Sequence, residues 1–184
     1  MSTTHEIVLT PVTTKVRFYT SVDNGSYIPS HWHRAIEIIY IQTGALTVTV
    51  ESHMQELTAG QCILINSNVV HSTQCTIPNT AIVFQIPLDF IETYIPQVRS
   101  LLFHLPEGSA DPKERTKLDI FKNTLEKMQI ANDMQPDGFL LRFNSLLFEV
   151  LFQLYHSFST KVMHSDFSKK KKELDRLNPV LQYT

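Results

Sequence analysis

The sequence predicts an α+β chain: a small β-barrel followed by an antiparallel helical pair. Three observations predict it. From Glu6 to Pro87 the apolar runs are short and separated by Gly, Asn and Pro, the pattern of a barrel or sandwich. After Pro87 the apolar spacing changes to three and four residues, the period of a helix face. The chain has 184 residues and is 42% hydrophobic, enough for one barrel core and a helical appendage.

Each element has its own signal. Lys15 to Ser21 is rich in β-branched and aromatic residues and reads as a strand. Ile36 to Gln42 is a strongly apolar strand, and Thr43-Gly44 reads as a turn after it. Ala45 to Glu51 alternates, with Leu46, Val48 and Val50 on one face and Thr47 and Thr49 on the other. Turns follow at Ser52-His53 and Thr58-Ala59-Gly60, and apolar strands at Cys62 to Ile65 and Thr80 to Ile86. Leu88, Ile91 and Ile95 suggest a short helix that Pro96 interrupts. Asp111-Pro112 reads as an N-cap and first-turn proline, followed by the stripe Leu118, Phe121, Leu125 and Met128. Beyond the turn Gln135-Pro136-Asp137-Gly138, a long helix over about 138–160 carries Leu140, Phe143, Leu147, Val150, Leu151, Leu154 and Phe158.

Composition excludes some functions. With 16 Lys+Arg against 18 Asp+Glu, the net charge is -2, and no broad cationic surface is expected to bind nucleic acid by itself. Cys62 and Cys75 lie in apolar strands and read as buried, reduced thiols. No apolar run reaches a membrane-spanning length, and the N-terminus lacks a basic segment followed by an apolar one. No membrane partner and a cytoplasmic location are the default expectations.

The strongest motif is Gly25-x5-His31-x-His33-x3-Glu37-x6-Gly44. Histidines at i and i+2 on a strand share a face, and a glutamate shortly after can join them. His71 arrives later, within Gly60-x5-Asn66-x-Asn68-x2-His71-x3-Cys75. Three imidazoles and a carboxylate suit Fe(II), Mn(II), Zn(II) or Ni(II) in an open-sided geometry.

This spacing resembles the cupin superfamily over about residues 15–87. The first cupin motif is matched at Gly25, His31, His33, Glu37 and Gly44. In the second, Gly60 and His71 match, while Asn66, Asn68 and Cys75 stand where proline, glycine and asparagine are usual. The implied fold is a double-stranded β-helix, or jelly-roll, barrel. The stretches His31–Gly44 and Leu57–Ser72 are also similar to the sensor domain of AraC/XylS-type transcription regulators. The ending Arg176-Leu177-Asn178-Pro179-Val180-Leu181-Gln182-Tyr183 is similar to the first helix of their DNA-binding domain.

That resemblance implies an N-terminal arm (1–12), an effector-binding barrel (13–90), a helical dimerisation segment (91–165), and a linker with the start of a DNA-binding domain (166–184). The chain would then be a fragment of a longer regulator. Lys169 to Lys172 would belong to the linker. The arm would close over the pocket, and the 138–160 stripe would form a homodimer interface. DNA would be bound through a C-terminal domain.

In this reading His31, His33, Glu37 and His71 line an effector pocket for a small molecule such as a sugar. Arg17 and Tyr19 share a strand face, and join them if that face is inward. Tyr40 and Phe84 are candidates for a flat wall against a ring. Trp32 alternates with the histidines and is expected to point away from them. No reaction and no cofactor are required, although the four clustered residues are compatible with a divalent transition metal. The alternative is a metal-dependent enzyme, a dioxygenase or isomerase, using His31, His33, Glu37 and His71.

Overall fold

The computed structural model describes residues 3–162. Its strands are β1 (Thr4–His5), β2 (Arg17–Asp23), β3 (Tyr27–Trp32), β4 (Ala35–Val50), β5 (His53–Thr58), β6 (Cys62–Ile65), β7 (His71–Pro87), β8 (Leu101–Phe103) and β9 (Ser159–Lys161). The helices are α1 (Leu88–Glu92), α2 (Pro112–Met134) and α3 (Phe139–Ser157). Residues 166–184, where the linker and DNA-binding start were expected, lie outside the described residues.

Two long strands organise the sheet. β4 and β7, of 16 and 17 residues, pair antiparallel along their whole lengths. The first half of β4 and the second half of β7 are flanked by β6 and β2. Their other halves are flanked by β5 and β3, and β3 pairs in parallel with β1. One curled sheet therefore makes two layers, as the jelly-roll expectation requires.

Apolar burial follows this curl. Between the layers lie Ile39, Ile41, Leu46, Val48, Leu57, Ile65, Cys75 and Ala81. The outer face of the first layer carries Ile36, Ile38, Tyr40, Ile82, Phe84 and Ile86, which pack on the helices. Ile36 to Ile41 is apolar at every position because both of its faces are covered.

The turn expected at Thr43-Gly44 is instead a bend within β4. The register with β7 shifts between Ile41 and Thr47, and the strand continues in the same direction. Gly44 has φ +73°, and a Cβ there would sit 2.0 Å from the Pro78 carbonyl oxygen. A single positive-φ glycine inside a ladder kinks a strand without reversing it.

α2 begins as expected. The Asp111 side chain accepts a hydrogen bond from the Lys113 N–H at 2.8 Å, and Pro112 occupies the first turn. Asp111→Ala should cost about 1 kcal/mol. Urea unfolding checks this, and no loss would deny the cap its role.

The stripe assigned to a dimer interface is mostly internal. Phe143, Leu147, Val150, Leu151, Leu154 and Phe158 are buried within the chain, packed with Phe121, Leu125 and Met128 of α2 and with Phe84. Only Leu140 is exposed among the seven. α3 is apolar around most of its circumference, and its widest apolar face meets α2 and the sheet. The exposed apolar residues of α3 are Leu140, Leu141, Phe148, Phe152 and Tyr155. Part of the expected helical segment also forms strands: β8 and β9 pair antiparallel after α1 and α3.

Polar contacts tie the sheet to α2. The Tyr40 hydroxyl donates to Glu126 at 2.8 Å. Gln42 donates to Gln129 at 2.6 Å, and Gln129 donates to Thr20 of β2 at 2.7 Å.

Candidate metal-binding pocket

The cluster forms at one end of the sheet, between the layers. His31, the penultimate residue of β3, pairs in register with His71, the first residue of β7. Their rings stand 4.1 Å apart, centre to centre. His33 lies in the short link to β4, and Glu37 lies two residues into that strand, opposite Gln85. His33, Glu37 and His71 are buried, and His31 is half-buried. One ligand atom from each of the four residues falls within 4.8 Å of the others.

The imidazoles are oriented alike. Nδ1 of His31, His33 and His71 faces the carbonyl oxygens of Pro29, Ala35 and Val69, at 2.9, 3.1 and 3.0 Å. A carbonyl only accepts, so each Nδ1 carries the proton. Nε2 of each ring is thereby turned toward the shared point. Such second-shell carbonyls are how proteins preset histidine ligands.

The Nε2 atoms differ in their partners. His33 Nε2 lies within hydrogen-bond distance of Glu37 Oε2, at 2.7 Å. His71 Nε2 is 3.6 Å from Glu37 Oε2, too long for a hydrogen bond, and is buried without a partner among the described residues. Buried polar atoms are rarely left unpaired. Hard or borderline divalent ions accept this nitrogen and carboxylate donor set, so the residues fit a metal.

Burial and neighbouring groups compete in setting the charges. Burial opposes ionisation of Glu37, but the hydrogen bond from His33, the attraction of His71 and the hydrogen bond from Gln85 hold its carboxyl well below the usual range. Burial lowers His71, but Glu37, the Val69 carbonyl and Glu6 together raise it. His31 is lowered, chiefly by burial.

Arg17 and Tyr19 of β2 come to the same region. Arg17 Nη1 donates to Gln85 Oε1 at 3.2 Å, and its guanidinium lies 4.9 Å from the Tyr19 ring centre. Burial raises the Tyr19 phenol, partly offset by Arg17. Gln85 Nε2 donates to Glu37 Oε2 at 2.9 Å, so one amide links Arg17 to the cluster. Glu6 lies beside them, accepting from Arg17 at 3.1 Å and standing 3.4 Å from His31 Nε2.

Sequence reasoning missed Gln85 and Glu6. Gln85 had a signal, as the one polar residue within the apolar run Ala81–Ile86. Glu6 had none, because its contacts come from distant strands.

Tyr40 and Phe84 lie on the other face of the first layer. Phe84 is fully buried and packs edge-on against Phe18, which packs against Phe143 of α3. The Tyr40 hydroxyl faces Glu126, and burial with that acceptor pushes its phenol up to about 12. Strand alternation is the reason: Glu37 and Gln85 point inward, so the even-numbered Tyr40 and Phe84 point to the helices. Trp32 does turn away from the cluster and packs on His5 of β1, ring centres 4.3 Å apart.

The family model described as a cupin domain matches residues 18–86. This stretch forms a cupin domain. The cupin domain includes every strand that carries the cluster. Among solved structures, an RmlC-like cupin from Shewanella frigidimarina is 25% identical, over 42% of this chain and 72% of its own, with a TM-score of 0.38. KdgF from a Halomonas species is 20% identical, over 41% of this chain and 73% of its own, with a TM-score of 0.37. The DMSP lyase DddQ from Ruegeria pomeroyi is 27% identical, over 41% of this chain and 40% of its own, with a TM-score of 0.37. No curated protein sequence matches the chain. Among the described residues, no helix is long and apolar enough to cross a membrane.

Proposed function

We propose that His31, His33, Glu37 and His71 hold one divalent transition-metal ion, and that ion and pocket together bind a small organic molecule. The observation carrying this is the shared orientation of the three rings. Each Nδ1 is engaged by a carbonyl, and the buried His71 Nε2 is left without a partner among the described residues. A bound ion would supply Lewis acidity and open coordination positions. The chain's own residues orient the ligands and keep water from most of the cluster.

The output proposed for this binding is regulatory, with no chemistry on the effector. Its support is the similarity to AraC/XylS-type sensors and the hydrogen-bonded seam joining β2 and β4 to α2. A ligand that favours one curl of the sheet would shift α2 with it. The partners in this reading are a second copy of the chain and DNA, the latter through a helix-turn-helix domain. The exposed Leu141, Phe148 and Phe152 of α3 replace the buried stripe as the dimer face. The catalytic reading, a dioxygenase or isomerase, rests on the same donor set and predicts turnover without a change in DNA affinity.

The direct test is metal analysis after purification without chelators, followed by cobalt(II) titration read by visible absorption. About one ion per chain is expected. His71→Ala should weaken cobalt binding by more than about a hundredfold, beyond what loss of an outer-shell partner costs. Affinity should fall as pH drops through the histidine range, because the ion displaces imidazole protons. A flat titration of the wild-type chain, or a His71→Ala variant that binds as well, would end the metal reading.

A further inference from the structure

One of the chain's own carboxylates, that of Glu6, stands beside the histidine cluster. Glu6 follows β1, and its main chain is fixed: its N–H donates to the Trp32 carbonyl at 2.9 Å, one residue after the pairing of His5 with Trp32. Its side chain reaches into the site, where Oε1 meets Arg17 at 3.1 Å and Oε2 lies 3.4 Å from His31 Nε2.

Arg17 is prepared for an anion. Gln85 Oε1 holds the same Nη1 at 3.2 Å, and the Gln85 amide is locked in that sense by donating from Nε2 to Glu37. The Tyr19 ring backs the guanidinium. Charge points the same way. A divalent ion at the cluster would be half neutralised by Glu37, and Arg17 would add a further positive charge beside it. Glu6 answers only part of that excess. It is partly exposed, as is Arg17, and pairs of that kind separate at small cost.

We infer that the pocket takes a small carboxylate-bearing molecule, whose carboxylate replaces that of Glu6 on Arg17 beside His31. Glu6 is then an internal stand-in for the ligand, released toward solvent when the ligand binds. This inference rests on the small-molecule reading of the cupin pocket and names its ligand class, an organic acid in place of a neutral sugar.

The test titrates acetate, succinate and benzoate into the full chain by calorimetry, each beside its amide: acetamide, succinamide and benzamide. Both cobalt(II)-loaded and metal-free protein are used. At least one acid should bind about tenfold or more tightly than its amide, the scale of a charge-assisted hydrogen bond. Glu6→Gln should tighten that acid several-fold, and Arg17→Gln should weaken it about tenfold or more. Amides binding as well as acids would overturn the inference. So would the absence of any acid binding to the Glu6→Gln protein at millimolar concentration. A loss of cobalt affinity in Glu6→Gln would also overturn it, by making Glu6 a metal ligand. Failure of the metal reading is separate: cobalt would not load, while the acids would keep their dependence on Glu6 and Arg17 in metal-free protein.

Discussion

Gly44→Ala should lower stability by more than about 3 kcal/mol, or leave the chain unfolded. Two costs combine. The residue holds φ +73°, a left-handed conformation that an L side chain adopts at a cost of about 1–2 kcal/mol. The added Cβ would also lie 2.0 Å from the Pro78 carbonyl oxygen and 2.8 Å from Asn79 Cα. These are backbone atoms, so no side chain can rotate out of the way. Asn79 anchors this crossing by donating to the Ala45 carbonyl at 3.0 Å. Relief therefore requires β4 and β7 to part where both bend. Gly60→Ala is the control. Gly60 also has positive φ, at +86°, but nothing lies within 4 Å of its Cβ position. Urea denaturation followed by circular dichroism should show a much smaller loss there. Equal losses at the two positions would show that close approach is not what demands glycine at residue 44.

Phe84→Ala should cost about 3–5 kcal/mol, the range for emptying a large aromatic site in a core. Phe84 is fully buried, and its ring lies edge-on to Phe18 with centres 5.2 Å apart. Phe18 meets Phe143 of α3 at 5.7 Å, so the cavity would open where the sheet meets the helices. Cobalt affinity of the molecules that remain folded should be unchanged. The adjacent Gln85→Ala should do the reverse. It removes the amide joining Glu37 to Arg17 and should weaken cobalt binding about tenfold, as loss of an outer-shell partner does. A Phe84→Ala variant that loses cobalt affinity once folded would return that ring to the pocket.

These neighbours show what could be read from the sequence. His31, His33, Glu37 and His71 were legible because their spacing stands out against apolar strands. Asp111-Pro112 and the Leu118–Met128 stripe were legible because local chemistry dictates helix starts and faces. The first half of β4 and the second half of β7 are apolar on both faces, so hydropathy alone does not say which residues face the cluster. Parity does: counting from Glu37 places Tyr40 on the far side. The bend at Gly44 was misread because a glycine in an apolar run marks a turn and a bulge equally well. The α3 stripe was misassigned because periodicity reports that a face is buried, not what covers it. Glu6 carries no local signal, since strand pairing alone brings it to Arg17.

The bend in β4 also has a mechanical meaning. Drawn straight, a strand of 16 residues would span roughly 50 Å. His71 is in register with Val50 at the far end of β4, yet its side chain comes within 3.6 Å of Glu37 near the beginning. The contour has been wound back on itself like a hoop, and the four clustered side chains sit where the hoop meets. An ion there would act as a clasp. Its binding free energy would add to the work of keeping the hoop shut, and whatever loosened the clasp would reach α2 through the tension of two strands.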